Sequence, residues 1–337
     1  MNAISRRTFI KSAAVAGLAA GFPGDLSVLG ADLKGKPESR TAFIYSDKYL
    51  GHLLSDNHPE SPKRLEAIIG RLKESGLYDE LTEITPEARD VSEWIGRVHS
   101  EKHCTIVEKQ ARSPSICRLA VSGALSAVDA VCGGKSKNAF CALRPPGHHA
   151  ANAGEYGFCF FNNVAIAAKF AKEKYGMRKI LIVDWDFHHG NGTEWAFYED
   201  PGVLFFSTHK LEAFPFTGSP DRKGRGDGYG FNINVPLPSG ADDKAIIGAF
   251  EEKLLPEAEK FKPDLVLISA GFDCRKDDLL GDFKVTDEGI SRLTGMIMHI
   301  AATHSGSRIV SLLEGGYNTE GLALAVESHV TALHNIS

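Results

Sequence analysis

Short apolar runs that alternate with helical stretches constrain the fold of this chain more than any other feature of its sequence. Six continuous runs, rich in β-branched and aromatic residues, occupy residues 41–45, 139–143, 179–183, 203–207, 264–268 and 308–313. Runs without polar alternation suit strands that are buried on both faces of a parallel sheet. Apolar residues at helical spacing predict helices over residues 62–74, 163–174, 245–261 and 287–303. The alternation therefore predicts a doubly wound α/β sheet in a single domain.

Composition and charge are those of an ordinary globular protein and point to no polyanionic partner. The chain of 337 residues is 43% hydrophobic and 24% charged, with a net charge of −5. That charge gives no reason to expect nucleic acid or an anionic membrane surface as a partner. A chain of this length can bury a core without disulfides, so its six cysteines are expected to be mostly buried thiols with at most one bridge.

The N-terminus has the pattern of an export signal. Its charged region reads Ser5-Arg6-Arg7-Thr8-Phe9-Ile10-Lys11, and an apolar stretch follows over residues 12–20. Paired arginines are typical of a twin-arginine signal, which predicts a signal peptide at 1–31, one domain at 32–337 and a periplasmic or extracellular location. The alternative is a basic amphipathic segment without such a role. No later stretch reaches the ~18 apolar residues of a membrane helix, so no stable membrane anchor is expected.

Four polar clusters follow four of the predicted strands. They read Arg144-Pro145-Pro146-Gly147-His148-His149, Asp184-Trp185-Asp186-Phe187-His188-His189, Ser269-Ala270-Gly271-Phe272-Asp273 and Glu314-Gly315-Gly316-Tyr317. Ligand sites in open α/β sheets lie just beyond the carboxyl ends of the strands. We therefore expect the four clusters to converge on one crevice.

The second cluster suggests a metal site. On an extended chain Asp184, Asp186 and His188 share one face, and buried carboxylates are costly unless they are paired or metal-bound. Taken alone, the motif fits a capped turn with solvated acids equally well. Asp273, after another strand, completes a set of one nitrogen and two oxygen donors with Asp186 and His188. Zinc accepts three such ligands with one position left open, and Fe²⁺ or Co²⁺ also suits hard oxygen donors.

The remaining clusters suggest acid–base chemistry. His148 and His149 follow a rigid turn, and a histidine beside an activated water can take its proton and later give it to a leaving amine. Asp184 and Asn191 are the nearest candidates to orient these rings. Tyr317 follows two glycines, and its hydroxyl could donate to an oxyanion. By position alone, however, a packing tyrosine would be the favoured interpretation.

Taken together, the motifs resemble those of the histone deacetylase family in wording and order. The resemblance also covers Gly157-Phe158-Cys159-Phe160-Phe161-Asn162-Asn163 and His58-Pro59-Glu60-Ser61-Pro62-Lys63-Arg64-Leu65, and it runs from about Phe43 to the C-terminus. Asn191 stands where class I members carry Asp, so the resemblance is to the class II and bacterial acetylpolyamine amidohydrolase branch. It implies an arginase-like three-layer α/β/α sandwich with a mainly parallel, eight-stranded sheet.

The resemblance also implies a role for each site residue. Zinc ligands would be Asp186, His188 and Asp273. His149 would be the general base and acid, oriented by Asn191, with His148 as a supporting histidine held by Asp184. Tyr317 would polarise the acetyl carbonyl, and the branch of the family that has lost much of its deacetylase activity carries His there. A structural K⁺ would bind backbone carbonyls around Asp184, Asp186, His188 and Ser207, together with the Asp184 side chain.

The substrate tunnel carries both matches and departures. Gly157 matches the residue whose carbonyl contacts the substrate amide, and Phe158 and Phe214 would flank the tunnel. The family's Pro-Gly-Thr-Gly segment is replaced by Phe214-Pro215-Phe216-Thr217-Gly218. Polyamine-selective relatives carry an acidic gatekeeper where this chain has Leu280, which lacks the charge that would attract a second ammonium.

The sequence therefore predicts a zinc-dependent amidohydrolase that removes acetyl or short acyl groups from acetylated amines such as acetyl-lysine peptides or acetylpolyamines. One alternative is an acyl-amine binding protein that keeps the zinc but does little chemistry, although such a protein need not retain His149 and Tyr317. Another is an arginase-like dinuclear hydrolase, which would need further acids around the first metal. Neither the acyl preference nor the oligomeric state follows from the sequence.

Overall fold

The structure is a computed structural model that describes residues 41–335. Eight parallel strands form one sheet in this part of the chain. They are β1 (Thr41–Ile44), β2 (Thr82–Ile84), β3 (Asn138–Cys141), β4 (Ile180–Asp184), β5 (Val203–Lys210), β6 (Asn232–Leu237), β7 (Leu265–Ala270) and β8 (Ile309–Leu313). Their order is β2-β1-β3-β8-β7-β4-β5-β6, and every pair of neighbours is parallel. The predicted fold class is confirmed. The predicted signal peptide lies outside the described residues.

Helices cover the sheet in two groups. They are α1 (Lys63–Glu74), α2 (Ser92–Gly96), α3 (Glu101–Gln110), α4 (Pro114–Cys132), α5 (Asn163–Tyr175), α6 (Asn191–Phe197), α7 (Asp243–Ala249), α8 (Leu255–Phe261), α9 (Asp287–His304) and α10 (Thr319–His334). Helices α1, α9 and α10 pack together, as do α4 and α5. Every residue of β4, β7 and β8 is buried, as a sheet covered on both faces requires.

The predicted helix over 245–261 is interrupted by a π-helical turn. Helix α7 passes into a π turn at Phe250–Leu254 and then into α8. Pro256 is the second residue of α8 and has no N–H to donate to the carbonyl of Glu252. The widened turn is a local adjustment to that missing hydrogen bond.

Helix α4 corrects one expectation drawn from the sequence. Among the described residues, this 19-residue helix is long and apolar enough to span a membrane by length and composition alone. The prediction that no stretch after the N-terminus reaches that length of apolar residues is therefore wrong. Its apolar window is 67% buried, and α4 packs on α5 and β3. Its composition is accounted for by its place in the protein core.

The cysteines form no disulfide. All six are free, and Cys117, Cys141, Cys159 and Cys274 are buried. Burial raises the pKa of the Cys117 thiol to about 12, which keeps it protonated and unreactive. The expectation of mostly free thiols is confirmed.

A buried ion cluster ties the chain segment before α1 to the end of the sheet. Glu60 accepts a hydrogen bond from Arg144 Nη2 at 2.7 Å and lies 3.3 Å from Arg64 Nη1, with all three side chains fully buried. Burial raises the pKa of Glu60, but the hydrogen bond and charge of Arg144, followed by Arg64, hold it below its ordinary value. Arg64 also donates to the carbonyls of Glu314 and Gly316. The cluster therefore fixes the loop that leads to Tyr317.

We expect Glu60→Gln to lower the free energy of unfolding by about 3 kcal/mol or more, because it leaves two buried guanidinium groups without their counter-charge. Urea denaturation at neutral pH measures this. Since the folded-state pKa is lowered, the contribution is present above the unfolded pKa and disappears as pH falls through the folded one. Glu108→Gln, which removes a partly exposed partner of Arg118, is the control and should cost below about 1 kcal/mol. Equal losses for the two variants would contradict the role of the cluster.

Candidate metal centre and active site

The four polar clusters meet at one edge of the sheet. They follow β3, β4, β7 and β8, and these strands are neighbours in the order β3-β8-β7-β4. Parallel strands place their carboxyl ends at the same edge, so segments far apart in sequence are brought together there. The predicted convergence is what the structure shows.

Asp186, His188 and Asp273 form a compact donor set. One ligand atom from each lies within 4.8 Å of the other two, and His188 Nδ1 is 3.2 Å from Asp186 Oδ1 and 3.0 Å from Asp273 Oδ2. Backbone amides orient the carboxylates: Phe187 N–H donates to Asp273 Oδ1 at 2.9 Å, and Gly315 N–H donates to Asp186 Oδ2 at 2.8 Å. The acids are therefore held in place before any ion binds.

Glycine at position 315 is required by this close packing. A Cβ there would lie 2.4 Å from Asp273 Oδ2 and 2.6 Å from Asp186 Oδ2, closer than a carbon atom can approach. Any other residue would push the loop away from both carboxylates. The glycines in the fourth cluster therefore allow the chain to close over the donor set.

The electrostatics of the donor set fit a bound cation. Burial, followed by the charge of Asp186, raises the pKa of Asp273 to about 7. Burial lowers the pKa of His188, but hydrogen bonds to Asp186 and Asp273 raise it to about 10. Two buried acids that rely on one imidazolium for charge balance would gain from a divalent ion. One imidazole and two carboxylates are donors that zinc accepts, so these residues fit the metal.

The adjacent histidines have different partners. His148 Nδ1 lies 3.0 Å from Asp184 Oδ2, whereas His149 Nδ1 donates to the neutral Asn191 Oδ1 at 2.8 Å. Burial lowers the pKa of both rings. For His148 the charges of Asp186 and Asp184 outweigh burial and raise its pKa, whereas the nearby His148 lowers that of His149 further. The site thus holds one charged imidazole beside one neutral imidazole.

Tyr317 lies inside the site rather than in the protein core. Its side chain faces Phe158 at a ring distance of 5.9 Å, and Arg64 lies over its ring at 5.1 Å. Burial raises the pKa of its hydroxyl, which stays protonated and able to donate. Its hydroxyl has no hydrogen-bond partner among residues 41–335.

Gly157 and Phe214 lie beside the His149 ring and Phe158 lies beside Tyr317; these three residues are here called the wall of the site, and their role in flanking a substrate tunnel stays a prediction. A Cβ on Gly157 would lie 2.3 Å from His149 Cδ2, so glycine is needed for the loop to approach that ring. The Phe214 ring is 5.2 Å from His149 and 6.1 Å from His188. Leu280 lies on an exposed turn and its side chain is 41% accessible. Within residues 41–335 its one side-chain-mediated hydrogen bond is from its backbone N–H to Asp278, which is not part of the wall.

Three supporting residues were not predicted as site residues. Glu314 accepts from the amides of Gly147 and His148, and Asp278 accepts from the amides of Tyr317 and Asn318. Arg64, described above, is the third. Glu314 and Arg64 both lie within motifs named in the sequence analysis. The position of Glu314, between apolar residues and two glycines, was a signal for a buried structural role.

A second cluster of donor atoms bears on the dinuclear alternative. Within residues 41–335, the other group of potential ligands is His148, Cys159 and Glu314, whose atoms lie within 4.8 Å of one another. Glu314 already accepts two amide hydrogens, and burial raises the pKa of the Cys159 thiol, so it stays protonated. His148 bonds Asp184 and the Cys159 thiol donates to the Gly157 carbonyl, so the three groups are already engaged and do not fit a second metal.

Comparison with known proteins identifies relatives over most of the chain. The family profile described as "Histone deacetylase domain" matches residues 58–333. "Histone deacetylase 10, chloroplastic" of Oryza sativa subsp. japonica is 37% identical over 82% of this chain and 69% of its own length. "Probable deacetylase" of Archaeoglobus fulgidus is 36% identical over 83% of this chain and 82% of its own length.

Two further similarities concern a human protein and a solved structure. "Polyamine deacetylase HDAC10" of Homo sapiens is 40% identical over 85% of this chain, which corresponds to 47% of the human protein. The "Crystal Structure of HDA15 HD domain" superposes with a TM-score of 0.82 at 34% identity and covers 89% of this chain and 90% of that one.

Proposed function

The chain belongs to the histone deacetylase family, and on that premise we propose that it is a zinc-dependent amidohydrolase that removes acetyl groups from acetylated amines. The observation that carries the proposal is the arrangement of a three-residue donor set, a neutral histidine and a tyrosine hydroxyl around one buried site. These are the groups that metal-promoted amide hydrolysis needs.

Asp186, His188 and Asp273 would hold the zinc, and Fe²⁺ or Co²⁺ would suit the same donors. When bound, the ion supplies Lewis acidity for the acyl carbonyl and for a water molecule. We also propose a structural K⁺ at backbone carbonyls around Asp184 and Ser207. These residues are register partners in β4 and β5, so their carbonyls lie at the same edge of the sheet.

The chain's own residues account for the proton transfers. His149, neutral and oriented by Asn191, takes a proton from the attacking water and delivers it to the departing amine nitrogen. His148, paired with Asp184, contributes positive charge beside the reacting atoms. Tyr317 donates a hydrogen bond to the oxyanion of the tetrahedral adduct. A C–O bond forms and the amide C–N bond breaks, giving acetate and a free amine.

The substrate class is proposed to be small acetylated amines or acetyl-lysine peptides. Gly157, Phe158 and Phe214 would enclose an extended acylated chain. The human relative is named a polyamine deacetylase, but the exposed Leu280 offers no charge for a second ammonium group. We therefore expect the site to be closer to lysine-selective than to polyamine-selective.

We further propose that residues 1–31 are a twin-arginine signal peptide and that residues 32–337 form a single deacetylase-like catalytic domain that works in the periplasm or outside the cell. The support is the Arg6-Arg7 pair and the apolar stretch that follows it. Export would make extracytoplasmic amines, rather than chromatin, the available substrates.

Acetate release by the purified mature protein, with zinc quantified, tests the function. The panel is an N-acetyl-lysine peptide, acetylputrescine and acetylspermidine. We expect turnover of the lysine peptide above that of either polyamine, and Leu280→Glu should narrow that difference by attracting the second ammonium. A protein that binds one zinc per chain but releases no acetate from any member would favour the binding-protein alternative.

A further inference from the structure

Two stacked histidines lie beneath the loop that carries the wall of the site. His99 immediately precedes the N-cap of α3 and His103 lies in its first turn, both are buried, and their rings stack at 4.3 Å with an interplanar angle of 15°. Residues 150–162, named here the wall loop, run from the catalytic histidines to α5 and carry Gly157 and Phe158.

Each histidine bonds both the part of the wall loop before the turn at residues 157–158 and the part after it, here called its two limbs. His99 donates from Nδ1 to the Ala151 carbonyl at 2.6 Å and accepts at Nε2 from the Asn162 amide at 2.9 Å. His103 reverses the pattern: it donates from Nε2 to the Phe160 carbonyl at 2.7 Å and accepts at Nδ1 from the Gly154 amide at 3.1 Å. The two rings must therefore be neutral and in opposite tautomers.

The surroundings of the pair support neutral rings. Burial, followed by the neighbouring His103, lowers the pKa of His99 to about 3, and burial lowers that of His103. At neutral pH both rings can therefore accept an amide hydrogen at one nitrogen and donate from the other. A buried apolar side chain could fill the same space but could not join the two limbs.

The tip of the wall loop is a tight turn whose position depends on how its two limbs are held. Tyr156 and Cys159 exchange two backbone hydrogen bonds at 3.0 and 3.1 Å, with Gly157 and Phe158 between them at φ values of 56° and 68°. Two successive positive φ angles are typical of a tight hairpin turn and are strained for Phe. Such a turn keeps its position only if the limbs that lead to it are fixed.

We propose that His99 and His103 are a pair of positioning residues that hold the wall loop, and with it Gly157 and Phe158, against the His149 ring. The inference rests on the proposed function for its effect on substrate, because the wall loop encloses the acylated chain. Neither histidine touches the reacting atoms; they act through the loop.

A graded set of His103 variants tests the proposal by amide hydrogen exchange in the full-length chain. His103→Phe removes both links, His103→Asn keeps an acceptor where Nδ1 was, and His103→Gln keeps a donor where Nε2 was. Exchange at Gly154 should speed up at least about tenfold in the Phe and Gln variants and less in the Asn variant. His329→Phe is the matched control, since this buried histidine bonds Thr294 and Ser311 outside the wall loop.

Kinetics give the second readout. In His103→Phe, KM for the acetyl-lysine peptide should rise about tenfold while kcat stays within about threefold, since the bond from His149 to Asn191 is kept. Unchanged exchange at Gly154, or a fall in kcat without a rise in KM, would overturn the proposal. Should His103→Phe not fold, the contrast between the Asn and Gln variants at Gly154 decides. Amide hydrogen exchange can be measured without turnover. An inactive wild-type enzyme would therefore contradict the proposed function, and the exchange experiment would still test the role of the two histidines.

Discussion

Replacing Tyr317 by Phe is expected to lower kcat by about 10²–10³-fold while the metal content stays at one per chain. The loss is that of a single oxyanion donor in a buried site. The phenyl ring keeps the contact with Phe158 and the position under Arg64, so the fold around the site should be unchanged. Steady-state acetate release, with zinc measured on the same samples, gives both quantities.

The same experiment decides between a catalytic and a packing tyrosine. Tyr229→Phe is a suitable control because that side chain is 67% exposed on a turn, and it should leave kcat unchanged. A packing role for Tyr317 would instead give near-wild-type turnover together with a lower melting temperature. A loss of zinc in Tyr317→Phe would also contradict the assignment, since the hydroxyl is not among the metal donors.

The centre of the sheet was predictable from sequence because its strands are buried on both faces. β4, β7 and β8 are continuous apolar runs, and the predicted limits agree with the observed ones to within one or two residues. The two edge strands were missed. β2 has three residues, two of them exposed, and β6 alternates buried asparagines with half-buried apolar residues, so neither stands out as an apolar run.

The candidate site was predictable where its residues sit in short motifs at strand ends. Asp186, His188, Asp273, His149 and Tyr317 each follow a strand, and parallel topology alone brings them together. The groups that hold them were harder to find, because their partners are distant in sequence. Glu60 and Arg144 are 84 residues apart, and each joins the site only through the fold. The His99 links likewise depend on a helix packing beneath a loop some 50 residues later.

Replacing His149 by Ala is expected to lower kcat by about 10³-fold, within the range for loss of a general acid–base residue. The neutral ring is the only one of the adjacent pair suited to take a proton, since the charges of Asp186 and Asp184 raise the pKa of His148 and keep it charged. Zinc content should not change, because the donor set is held by backbone amides that His149 does not contact. Turnover within tenfold of wild type would instead assign proton transfer to another group.

Asn191→Asp distinguishes a general-base role of His149 from a purely structural one. A carboxylate that accepts from His149 Nδ1 favours the charged ring and raises the pKa of His149, which burial and His148 hold low in the native site. A base must be unprotonated to act, so the acid limb of kcat/KM should move to higher pH in this variant. Activity at high pH should approach the wild-type value, whereas His149→Ala stays low at every pH. An acid limb that does not move would show that the ionisation controlling the rate belongs to a group other than His149.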